Sequence, residues 1–259
     1  MMTSKKRYQK FMTISHYGGE IFASFLFSLL FLIFIYRFIS PEYDISYAEL
    51  SFYVGLGFLA AMFTPSYRYV VDVIPLITLI KLFESGFSWR RLLHIPFQIL
   101  GAFFAVQIFL MLNECCLSNI GEVYHFNTIR YSIESQWVTG FANGILVAII
   151  YYMYYIIRYV FREVEFSGTL FLSILIMLLF FASGWISNTS IINPFALFFY
   201  GLETGSAIPF TLEEFAIHVI SPIFFLIVSR GYIRINLVRE YIDTRIKNNK
   251  IGGFKNYDV

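Results

Sequence analysis

The chain has 259 residues, of which 58% are hydrophobic, 20% aromatic and only 14% charged, with a formal net charge of +2. Its mean hydropathy of +0.67 lies outside the range of soluble domains and marks an integral membrane protein. So small a net charge, with no basic run alternating with aromatics, excludes a nucleic-acid partner.

The basic start, Lys5-Lys6-Arg7 with Lys10, leads into a span longer than a signal-peptide core, so this span is expected to remain as an anchor. A membrane-crossing helix needs roughly 20 apolar residues. Stretches of that length lie at 16–38, 47–66, 89–113, 136–160, 167–187 and 212–235. Two shorter apolar pieces, 75–85 and 194–202, each begin at an X-Pro step and run two or three turns. They are too short to cross a bilayer and read as re-entrant half-helices. Proline at the first helical position loses no intrahelical bond, and Asn193 before Pro194 is a strong cap. A helix that starts at membrane depth aims its free N–H groups at something, and a pore is the expected target. Cys115 and Cys116 adjoin near the end of a span and read as packed or free thiols, since neighbouring cysteines rarely bridge each other.

The charges fit one orientation. Arg37 and Arg130 fall on the side that carries Glu42, Asp44, Glu114, Glu122, Glu134 and Glu203, whereas Lys5, Lys6, Arg7, Lys10, Arg68, Arg90, Arg91, Arg158, Arg162 and the basic tail from Arg234 to Lys255 fall on the other. The positive-inside rule then puts both termini in the cytoplasm. The order span, span, half-helix, span occurs twice, with Pro75 and Pro194 at matching places and Glu20 and Asn143 inside the first span of each half. Three spans per half invert the second copy, and inverted repeats bring half-helix N-termini face to face near the midplane. The expected fold class is therefore an all-α membrane protein with six transmembrane helices and two re-entrant half-helices. Its expected organisation is a cytoplasmic tail at 1–15, one channel domain at 16–235 with half-repeats 16–113 and 136–235, and a basic cytoplasmic tail at 236–259.

With these elements in place the chain resembles the aquaporin family from about Tyr17 to Tyr232. Gly19-Glu20-Ile21-Phe22 resembles the family's Ala-Glu-Phe opening, whose glutamate braces the neighbouring re-entrant loop. Phe97-Gln98-Ile99-Leu100-Gly101-Ala102 resembles Ala-Gln-x-x-Gly-Ala, where small residues let helices cross closely, and His218-Val219-Ile220-Ser221-Pro222 resembles Trp-Val-Gly-Pro. Family members usually carry Asn-Pro-Ala twice. The first copy here is Ile74-Pro75-Leu76 and the second Asn193-Pro194-Phe195. The family's ordinary channels place arginine directly after the second motif, where this chain has Ala196. Degenerate motifs of this kind are similar to the unorthodox, or superaquaporin, branch, associated with intracellular membranes and with water and glycerol passage. A rival registration takes Thr64-Pro65-Ser66 as the first motif, but it shortens the second span and lengthens the route to Gln98. Spacing from the motifs carries the constriction over to Val54, Phe181, Ser190 and Ala196, an apolar and uncharged set.

The resemblance implies a passive channel for water and small neutral solutes such as glycerol, with no cofactor and no metal, in a lipid bilayer and as a homotetramer. Asn193 would meet single-file water with its amide, and opposed half-helix dipoles would repel cations; Ile74 cannot donate. Glu20, Gln98 and Asn143 are expected to be structural polar residues, with a proton relay the alternative for Glu20. The sequon at Asn188 to Ser190 falls in the re-entrant loop and is not expected to be glycosylated. His16, His94, His125 and His218 stand in different segments with no metal-ligand spacing and read as packing or interface residues. Asp72 and Arg68 precede the first half-helix as a capping pair or a gate. The rival function is a non-conducting or gated scaffold of the same fold, plugged by Phe103, Phe104, Phe181, Phe195, Phe198 and Phe199. An enzyme is not expected, because neither a Ser/His/Asp set nor a facing carboxylate pair is apparent. Branch analogy points to the endoplasmic reticulum, with the plasma membrane as the alternative.

Overall fold

The computed structural model describes residues 4–39, 45–63, 71–85, 88–116, 144–153, 165–187, 194–204 and 212–235, and every regular element among them is a helix. In chain order these are α1 (Ser4–Ile39), α2 (Tyr47–Phe63), α3 (Pro75–Ser85), α4 (Trp89–Leu92) and α5 (His94–Cys116). They are followed by α6 (Gly144–Met153), α7 (Glu165–Ser187), α8 (Pro194–Thr204) and α9 (Leu212–Ile235).

Among the described residues two segments, His16–Phe38 and Trp89–Asn113, are long and apolar enough to cross a membrane. α1 starts well before the apolar segment, because lysine and arginine are good helix formers and extend the helix beyond it. The 25 residues of Trp89–Asn113 are divided at Leu93. Leu92 and Leu93 donate backbone hydrogen bonds to Ser88 (3.0 Å) and Trp89 (3.1 Å), but Pro96 has no N–H to continue the ladder and its ring crowds the carbonyl of Leu92. α5 therefore restarts at His94, with Pro96 in its first turn. Pro75 and Pro194 stand at the first positions of α3 and α8. At about 1.5 Å rise per residue, 11 residues make a rod of about 16 Å, half the thickness of a bilayer core. Of the expected span at 136–160, α6 is the described part.

Polarity runs from the outside in. Phe52 (52% exposed), Met111 (64%), Ile149 (48%) and Phe224 (55%) lie on the outer surface, while Glu20, Asp72, Lys81, His94 and Gln98 are buried. A soluble protein could not tolerate that distribution, but helices surrounded by lipid expose hydrocarbon and turn their ionisable groups inward. The core joins α1, α2 and α7 through Phe27, Phe31, Phe58 and Phe180. The Phe27 and Phe58 rings meet edge-on at 5.4 Å, and the Phe31 and Phe180 rings at 6.0 Å.

The packing follows an inverted repeat. Pairing α1 with α6, α2 with α7, α3 with α8 and α5 with α9 maps the α3 to α9 contact onto the α8 to α5 contact, and the α3 to α5 contact onto the α8 to α9 contact; all four are present, as is the α2 to α7 contact. Both half-helices are thus wedged against the same two long helices. Close approach supports this at two glycines. A Cβ on Gly101 of α5 would stand 2.4 Å from the carbonyl oxygen of Ile21 on α1, and one on Gly144 of α6 would stand 2.3 Å from the Phe225 ring of α9. Small residues let helix backbones touch where hydrophobic association has no driving force.

Candidate functional site

The first half-helix begins in a strained loop. Val73 has φ 68°, a region that β-branched residues avoid, and Ile74 N–H donates to Asp72 O at 2.8 Å, so residues 72–74 form the rarer, strained kind of γ-turn. Such a backbone persists only where its surroundings over-determine it, at a cost of about 1–3 kcal/mol. Here the surroundings are the carboxylate of Glu20, wholly buried on α1. It accepts Asp72 N–H at 2.8 Å and Val73 N–H at 3.3 Å. Gln98 on α5 donates its Nε2 to the same carboxylate at 2.9 Å and to Thr78 Oγ1 on α3 at 2.9 Å.

Beside this tether lies a buried ion cluster. Lys81 Nζ pairs with Asp72 Oδ1, and Thr78 Oγ1 donates to Asp72 Oδ2 at 3.0 Å. His94 Nδ1 lies 3.1 Å from Glu20 Oε1 and 3.3 Å from Asp72 Oδ2. Two carboxylates face one ammonium and one imidazole, so each charge has a counter-charge within bonding distance, the condition under which buried ions are tolerated. Arg91 Nη1 donates to the Lys81 carbonyl at 3.2 Å, placing a cation near the C-terminal end of α3, where the helix dipole favours it.

The sequence-derived candidates fall in separate places. Glu20 and Gln98 meet at the start of α3, next to Ile74, which is 1% exposed, and Leu76, which is 7% exposed. Pro75 opens α3, and Pro194 opens α8 with Phe195 partly buried and Ala196 fully buried behind it. Val54 is buried on α2, and Phe181 on α7 lies partly buried with its ring 6.3 Å from that of Tyr47. Asn143, Ser190 and Asn193 lie outside the described residues, as do Arg68, the sequon at Asn188 and the rival motif at 64–66. Of the plug candidates, Phe103 and Phe199 meet edge-on at 5.5 Å, but Phe104 is 46% exposed and turns away from the core, so it cannot obstruct the interior.

Two functional groups went unread in the sequence. Lys81 is an ionisable residue in the middle of an apolar half-helix, and that oddity was its signal. His16 and His94 are 78 positions apart, and the fold places their Nε2 atoms 3.1 Å from each other. Only the spacing of His16 and Glu20, one helical turn on α1, hinted at a shared face.

No protein-family model matches the sequence, and no curated protein matches it. Among solved structures the chain is similar to the aquaglyceroporin from Plasmodium falciparum, with a TM-score of 0.66 over 90% of this chain and 99% of that one, at 15% identity. A likeness at that identity speaks for the fold: the chain has the aquaporin fold, an all-α membrane architecture.

Proposed function

We propose that this aquaporin-fold chain is a passive channel for water and small neutral solutes of the glycerol class. The observation that carries the reading is the pair of 11-residue half-helices, each begun by a proline and wedged against both α5 and α9. A solved structure similar to it is an aquaglyceroporin, and this likeness supports including solutes of the glycerol class in the reading. Asn193 supplies the amide at the midplane. Ile74, its counterpart, spends its N–H on Asp72 and its carbonyl on the first turn of α3, and so offers a hydrocarbon wall. Val54, Phe181, Ser190 and Ala196 form an uncharged constriction that tolerates apolar solute flanks. Asn143 is a structural polar residue of the second half. The protein works as a homotetramer in an intracellular membrane, with both termini cytoplasmic and no chemistry of its own.

In proteoliposomes holding folded protein, stopped-flow light scattering is expected to show faster water and glycerol efflux than in empty vesicles; equal traces for both solutes overturn the reading. Asn193→Asp is expected to change water flux or admit cations, and Ile74→Asn to raise water flux by restoring a donor.

A gated or non-conducting form is the second reading, and exposure favours it. Val54 and Ala196 are 0% exposed and Ile74 1%, so a water-sized sphere does not reach three of the residues assigned to the pore wall. On the non-conducting reading the wild type matches empty vesicles, and Val54→Ala is expected to open a measurable flux.

A further inference from the structure

The tether around Glu20 has an outer edge that neither reading above employs. His16 and Glu20 lie one turn apart on α1, His94 opens α5, and one donor atom from each lies within 4.8 Å of the others. The orientation of His94 decides what this edge can do. Its Nδ1 faces Glu20 Oε1 and Asp72 Oδ2. Carboxylates only accept, so Nδ1 carries a proton there and Nε2 is the atom turned outward. It lies 3.1 Å from Nε2 of His16, with the ring planes tilted by 59°. A histidine whose far nitrogen is held by a carboxylate is the arrangement that orients imidazole ligands at metal centres.

We propose that His16 and His94 bind a divalent transition-metal ion of the zinc class through their Nε2 atoms, with the carboxylates of Glu20 and Asp72 holding the His94 ring from its Nδ1 side. Two imidazole nitrogens on a tetrahedral zinc, each at about 2.0–2.1 Å, stand about 3.3 Å apart, so the observed separation needs only a small opening. Borderline imidazole ligands select zinc, nickel or copper over magnesium and calcium, which prefer all-oxygen sites. Charge allows it as well. Glu20 and Asp72 face the ammonium of Lys81 and the imidazole of His94, and an ion takes the place of the proton that the two facing nitrogens otherwise share. His16 is only half-buried, so an ion reaches the pair without unpacking the core.

The site is independent of conduction, and its test is a binding measurement. Full-length protein in detergent micelles, stripped with a chelator and dialysed, is titrated with Zn2+ by calorimetry, and with Co2+ by visible absorption, which reports imidazole ligation directly. One Zn2+ per chain is expected, with a Co2+ ligand-field band and no response to Mg2+. His16→Gln removes one ligand without touching the loop tether; it is expected to lower Zn2+ affinity at least tenfold, to abolish the Co2+ band and to leave the thermal midpoint of the metal-free protein unchanged. Asp72→Asn combined with Lys81→Met, which strands no buried charge and reaches the ion only through the His94 ring, is expected to weaken binding by about 10-fold, the lower end of the range for such outer partners. Absence of wild-type Zn2+ binding, or equal affinity in wild type and His16→Gln, overturns the proposal.

Discussion

Both half-helices run 11 residues from a proline and touch the same two long helices, yet they are held in different ways. The start of α3 is fastened by buried polar groups: the Glu20 carboxylate on two loop N–H groups, and the Asp72 pair with Lys81. The described residues of α8 add packing by hydrocarbon. Ala196, Leu197 and Tyr200 are buried, the Phe109 and Tyr200 rings lie 5.9 Å apart, and its hydrogen bond from Gln107 Nε2 to Glu203 Oε1 at 2.8 Å sits at the exposed surface. Removing one member of the first set strands a charge in a dry interior, whereas trimming a buried apolar side chain of α8 removes packing.

The sharpest way to break this contrast is at Lys81. Lys81→Met leaves Asp72 buried beside a second carboxylate, and a loss of about 3–5 kcal/mol is expected, read as a drop in unfolding midpoint in micelles. The double variant Asp72→Asn with Lys81→Met is expected to recover at least half of that loss. If the single and double variants are equally unstable, the two charges are not coupled. Next in size, Gly101→Leu drives a side chain into the Ile21 carbonyl and is expected to cost about 1–3 kcal/mol by overpacking, the same unfolding assay serving as the check. A smaller effect tests the strained turn. Glycine normally destabilises relative to alanine, but at φ 68° that order should reverse, with Val73→Gly about 1 kcal/mol more stable than Val73→Ala. Smallest of all, Gln107→Leu at the surface of the second half should fall within about 0.5 kcal/mol of wild type; a larger loss means that polar contacts anchor α8 as well.

Much of the helix layout was legible because it rests on local chemistry. Pro75 and Pro194 announce helix starts by lacking a donor, and the apolar lengths at 167–187 and 212–235 anticipate α7 and α9 to within two residues at each end. The break at Leu93 was also written locally, in Pro96, but an unbroken apolar run hid it. Glu20 and Gln98 came from resemblance, and the fold puts them in contact with each other and with the loop before α3. What local reading misses is pairing across the chain. Lys81 finds Asp72 only because the segment turns back on itself, and His94 finds His16 only because α5 lies along α1. Periodicity and spacing carry no information about a partner 78 positions distant.

The buried cluster also constrains the order in which the protein can be assembled. Asp72 and Thr78 leave the ribosome before His94 and Gln98, the side chains of α5 that complete their hydrogen bonding. Until α5 lies beside α1, the loop before α3 would bring an incomplete set of counter-charges into the bilayer, so it is more stable waiting at the aqueous surface. The first half therefore closes backwards: α1 and α2 insert, α5 follows, and only then does α3 dip between them. A released chain truncated after Leu93 should leave cysteines introduced singly at residues 71–85 open to water-soluble thiol reagents that no longer reach them in the full-length protein.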